Sequence, residues 1–131
     1  MSQVSVLSLD DKDVMTQSVL ASYFSPQWKV ELVSSYQESV VVLNRHPFDV
    51  LLLDYDLGPD SPTGVQLIPR YVKAFPNLVI IMMTQKDDIE VMKQAFSLGA
   101  EDYIIKSSSV CAEVSIKIRE CLKRVRNRKN D

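Results

Sequence analysis

Five short apolar segments alternate with stretches of helical periodicity along this chain, and that alternation leaves few folds open. The segments are Val4–Leu9, Trp28–Val33, Phe48–Leu53, Leu78–Met83 and Asp102–Ile105. Val50 to Leu53 are apolar in succession, which suits a strand buried on both faces of a parallel sheet. In the second segment Trp28, Val30 and Leu32 alternate with Lys29 and Glu31, the pattern of a less covered edge strand. Helices are predicted over about Asp13–Phe24, Tyr36–Arg45, Gly64–Phe75 and Asp87–Leu98, with a last one starting within Ser107–Ser109. Ser25-Pro26 and His46-Pro47 end the first two, and Gly99 is placed to close the fourth. Pro69 is expected to kink the third or delay its start. In the last, Val114, Ile118, Cys121, Leu122 and Val125 recur at helical spacing. The whole pattern predicts an α/β fold, a doubly wound five-stranded parallel sheet with helices on both faces. Such sheets bind ligands outside the carboxyl ends of their strands.

With 131 residues the chain has the length of one domain. Its longest apolar run, Leu78–Met83, is far too short to span a bilayer, and no basic stretch precedes an apolar one at the N-terminus. The expectation is a cytoplasmic protein with no membrane partner. Cys111 and Cys121 are placed on one helix, about 15 Å apart along its axis, too far for an internal disulfide. With His46 the only histidine, a zinc site lacks its usual ligands, and His46 reads as a surface residue without a partner. The net charge of −2 is uneven. Lys117–Asp131 hold seven basic and two acidic residues, a balance of +5, which leaves −7 for residues 1–116.

The carboxyl ends of the predicted strands carry the chemistry. The first delivers Asp10 and Asp11, the third Asp54, the fourth Thr84 and the fifth Lys106. Each residue alone has an ordinary structural explanation: an acidic helix start, a strand-end hydroxyl, a solvated lysine. The fold, however, would gather all of them on one edge. Carboxylates ~5 Å apart repel by roughly 3 kcal/mol per pair at an effective dielectric of 20, so a cation is the natural remedy. Magnesium suits this set, since it takes oxygen ligands from one or two carboxylates together with phosphate. Lys106 adds a fixed positive charge and Thr84 a hydroxyl, completing an electrostatic cradle for a transferring phosphoryl group.

"LDD" at the first strand end, "LLLD" at the third, "MMT" at the fourth and "GAEDYIIK" through the fifth resemble the receiver domain of two-component response regulators. The resemblance runs from Val4 to about Arg124. It implies a flavodoxin-like sheet of order 2-1-3-4-5. It also implies that Asp54 is the phosphoacceptor, charged by a sensor histidine kinase or phosphotransfer protein. Asp11, Asp54 and the backbone carbonyl of Asp56 would ligate Mg2+, with Asp10 acting through water. Thr84 and Lys106 would hold phosphoryl oxygens. Tyr103 would follow Thr84 and alter the surface of the fourth helix, fifth strand and fifth helix, where a homodimer could form. Asp56 and Lys86 would flank the path of attacking water and set the phosphoryl lifetime. Such a switch catalyses only its own phosphorylation and dephosphorylation. Residues 1–124 would be the receiver, and 125–131 a basic extension of the last helix or the start of a linker to an output domain.

Three features depart from the family pattern. Gly64 follows Asp54 by ten residues where eight is usual, so "GPDSP" reads as a two-residue insertion. Ser107, not proline, follows Lys106, and Gln85 stands where a small residue is common. Two other readings compete. A haloacid-dehalogenase-like phosphatase would use Asp54, Asp56, Thr84 and Lys106, but its acidic pair would have to come last, not first. A degenerate receiver would act only as an interaction module. The basic tail alone is weak evidence for nucleic-acid binding.

Overall fold

The computed structural model describes residues 4–10, 28–85, 88–106 and 110–129, the side chains of 110–113 excepted. Five strands form one sheet: β1 (Val4–Leu9), β2 (Trp28–Val33), β3 (Val50–Asp54), β4 (Val79–Thr84) and β5 (Asp102–Ile105). All pairs are parallel and the order is β2-β1-β3-β4-β5, with Val6 beside both Val30 and Val50, and Thr84 beside Ile105. Among the described residues the helices are α1 (Tyr36–Arg45), α2 (Gly64–Ala74), α3 (Ile89–Leu98) and α4 (Val110–Lys129). The helix expected over Asp13–Phe24 lies outside the described residues.

Side-chain alternation divides the core in two. Leu7, Leu9, Leu51, Leu53, Ile80, Met82 and Tyr103 pack with residues of α1, α2 and α3 on one face. Val6, Val50, Leu52, Ile81, Met83 and Ile104 pack with Val114, Ile118 and Cys121 of α4 on the other. β3, in the centre, is therefore buried at every residue, whereas β2, at the edge, is only partly covered until Val33.

Element ends follow hydrogen bonding more closely than hydropathy. β3 begins at Val50, not Phe48, and both β3 and β4 run one residue further than expected, to Asp54 and Thr84. The ladder does not stop where the apolar run stops. α3 starts at Ile89 because Asp88 caps it, accepting from the amides of Glu90 and Val91. α2 begins at Gly64 and runs through Pro69, with Thr63 and Gln66 closing a reciprocal capping box. His46 is not partnerless: its ring packs on Phe48 at 4.7 Å and its Nε2 lies 3.7 Å from Glu31.

Candidate functional site

Parity along the strands decides which side chains can meet at the carboxyl edge. Val50 and Leu52 share the α4 face of the sheet, and so does Ile104. Continuing that alternation puts Asp54, Asp10 and Lys106 on the same side. Accordingly Lys106 Nζ bridges the two carboxylates, 2.5 Å from Asp10 Oδ2 and 3.3 Å from Asp54 Oδ1. All three side chains are nearly excluded from water. Burial works against the Lys106 ammonium, but the hydrogen bond it donates to Asp10 and the charges of Asp54 and Asp10 outweigh it and raise its pKa above the ordinary lysine value.

Thr84 is buried at the end of β4, beside Ile105, and the Lys106 amide donates to its carbonyl at 2.7 Å. By the same parity Thr84 shares the opposite sheet face with Met82 and Tyr103, and Tyr103 is buried there in the core. The expected switch pair thus lies on one face while the carboxylates and lysine lie on the other, meeting at the strand ends.

The loop after β3 is held tightly at both ends. Tyr55 donates its amide to Met83 O at 2.9 Å, and Gly64 donates its own to Tyr55 O at 2.7 Å. Gly64 approaches so closely that a Cβ there would stand 2.3 Å from the Asp54 carbonyl oxygen. The ten-residue spacing from Asp54 to Gly64 is thus absorbed in the intervening loop, and Gly64 still closes against the end of β3. Asp56 is exposed, and its Oδ1 accepts from Gly58 N at 3.1 Å. Asp11 and Lys86 lie outside the described residues, and Gln85 is exposed.

Among the described residues no cluster of three or more His, Cys, Asp or Glu is placed to hold a metal. Asp10 and Asp54 supply two buried carboxylates against a single lysine, leaving a local excess of negative charge. That hard-oxygen donor set fits a divalent cation such as magnesium or calcium.

A second charged cluster escaped the sequence reading. Asp102 pairs with Lys117 at 3.2 Å and Arg124 at 3.3 Å, and accepts the Tyr103 amide at 2.8 Å. Glu101 pairs with Arg128 at 2.6 Å. Burial disfavours the Asp102 carboxylate, yet the Tyr103 amide, Lys117 and Arg124 prevail and hold its pKa below the ordinary aspartate value. Cys121, a free buried thiol whose pKa is pushed up to about 11 by burial and by Asp102, packs beside this cluster. The signal was present: Lys117, Arg124 and Arg128 recur seven and four residues apart, one stripe of a helix.

Comparison with known proteins bears on the fold and the family. The chain is 28% identical over 123 residues to the transcriptional regulatory protein TrcR of Mycobacterium tuberculosis, covering 94% of this chain and 47% of that protein. It spans about half or less of the length of the curated relatives it matches. The beryllofluoride-activated NtrC4 receiver domain dimer superposes with a TM-score of 0.81 at 22% identity, covering 92% of this chain and 97% of that one. A response regulator from Burkholderia pseudomallei, solved with a phosphorylated aspartic acid, a calcium ion and citrate, gives 0.79 at 21% identity over 97% of this chain and 73% of that one. These structural likenesses concern the fold. Residues 6–113 match the response regulator receiver domain, which displaces the phosphatase alternative. The chain belongs to the response regulator receiver domain family.

Proposed function

We propose that this receiver is a Mg2+-dependent switch in which Asp54 takes a phosphoryl group from a phosphohistidine on a sensor histidine kinase or phosphotransfer protein. The observation that carries this reading is Lys106 Nζ lodged between the buried carboxylates of Asp10 and Asp54. A carboxylate oxygen of Asp54 attacks phosphorus as the P–N bond breaks, and the electron pair stays with the departing imidazole. Lys106, kept protonated by its two carboxylate neighbours, is placed to follow the charge onto the phosphoryl oxygens. Thr84 supplies a hydroxyl donor from the adjoining strand end. Asp11, Asp54 and the Asp56 carbonyl would hold Mg2+, with Asp10 acting through water. When bound, the ion would neutralise charge developing on the transferred group.

The readout follows from the sheet face that Thr84 and Tyr103 share. Movement of Thr84 toward the phosphoryl group frees volume beside Tyr103, and the change reaches the surface formed by α3, β5 and α4. A homodimer through that surface is the simplest output. Asp56 and Lys86 would tune the lifetime of the phosphoryl group. Residues 1–124 form the switch in this reading, and 125–131 extend α4 or lead to an output domain, all in the cytoplasm. No described helix is long and apolar enough to cross a membrane.

Beryllofluoride with Mg2+, an aspartyl-phosphate mimic, tests the switch. Amide NMR shifts should spread from Asp54 to Tyr103 and onto α3 and α4 in the native chain and be absent in Asp54→Asn. Shifts confined to the strand ends would contradict the proposed readout.

A further inference from the structure

The surplus length between Asp54 and Gly64 lies beside the site, and the structure shows where it is stored. Tyr55 is fixed by Met83 O and by the Gly64 amide, and Leu57 is buried in the core. Gly64 leaves no space behind the Asp54 carbonyl. The main chain on either side of Asp56 is therefore pinned, while Asp56 itself is exposed. Its carboxylate Oδ1 accepts from Gly58 N at 3.1 Å, closing an Asx turn. Gly58 sits at φ 102°, a region that side-chain-bearing residues rarely enter. Ser61 N then donates to Gly58 O at 3.3 Å, closing a second turn. The extra residues form a closed excursion beyond Gly58, and the Asp56 carboxylate is the latch at its mouth.

We propose that Asp56 is a positioning residue, whose carboxylate, latched to the Gly58 amide, fixes its own peptide unit so that the Asp56 carbonyl keeps one orientation toward the divalent cation despite the enlarged loop. This rests on the proposed reading of Asp11, Asp54 and the Asp56 carbonyl, with Asp10 through water, as a Mg2+ site. The role is distinct from rate modulation by charge. A carbonyl ligand in a mobile peptide must be ordered at each binding event, whereas a latched one is ordered in advance. The partners that orient metal ligands are commonly worth ten- to a hundredfold in affinity.

The test is a titration with Mg2+ alone, followed by amide NMR, on the native chain, Asp56→Asn, Asp56→Ala and Gly58→Ala. Asn and Ala remove the same charge, but only Asn keeps an oxygen able to accept from Gly58. Asp56→Ala should bind Mg2+ about tenfold more weakly than Asp56→Asn. Gly58→Ala retains the carboxylate but strains the turn, and should also lose affinity relative to the native chain. Thermal unfolding without Mg2+ checks that each variant is folded, and the Asn–Ala comparison at an exposed position stands if Gly58→Ala is not. Equal affinities for the Asn and Ala variants would overturn the latch. Absence of any Mg2+-dependent shift in the native chain would instead overturn the cation site beneath it.

Discussion

At the scale of single residues, Gly64 and Lys106 are constrained by opposite means. Gly64 is required by space: a methyl group there meets main-chain atoms of Asp54 and Tyr55, which cannot swing aside as a side chain would. Gly64→Ala should cost about 2 kcal/mol in denaturant unfolding, the range of an overpacked interior. Lys106 is held by charge. Its folded pKa is raised, so its contribution to stability is complete below the ordinary value of 10.5 and is lost as pH rises through the folded value. Unfolding measured across alkaline pH should show this loss in the native chain and a flatter limb in Lys106→Met. The sequence made Lys106 legible as part of the site because strand order gathers it there. That Asp10 is its nearer partner depends on strand parity and side-chain reach.

At the scale of elements, hydropathy located each described strand and helix, while polar contacts fixed their ends. Asp88 is an example, since its side chain satisfies two amides of the first turn of α3. Asp88→Ala should lower stability by about 1 kcal/mol, measured by thermal or denaturant melts. The clamp between β5 and α4 was less legible, because Asp102 lies 15 residues from Lys117 and 22 from Arg124. Such pairing becomes visible only once the helix is laid against the edge strand. Asp102 has a lowered pKa, so its stabilisation is present above the ordinary 3.8 and is lost as pH falls through its folded value. Asp102→Asn should cost about 2 kcal/mol near neutral pH, the scale of charged hydrogen bonds, and reduce the native-to-mutant gap in acid. The same clamp ties Arg128, beyond the expected domain boundary, to Glu101. The basic end of α4 is thus attached to the body, and its charge is partly answered there.

For the whole molecule, the order of five parallel strands places Asp54 at the end of the central strand, Thr84 at the end of the strand beside it and Tyr103 on the strand beyond. Two faces of one sheet then share a single edge: charged carboxylates and lysine on the α4 side, neutral threonine and tyrosine on the other. The architecture was legible because each strand reads as a continuous or alternating apolar run. The loop after Asp54 was not, because its path depends on a latch at Asp56, a left-handed Gly58 and the close seat of Gly64, none of which leaves a periodic signal. The proposed function reduces to one bond on one residue, the phosphoryl–oxygen bond at Asp54. Intact-mass measurement after incubation with acetyl phosphate and Mg2+ tests it most directly. The native chain should gain the mass of one phosphoryl group and Asp54→Asn should gain none. Equal labelling of the two proteins, or no labelling of the native chain under conditions that preserve aspartyl phosphate, would contradict it.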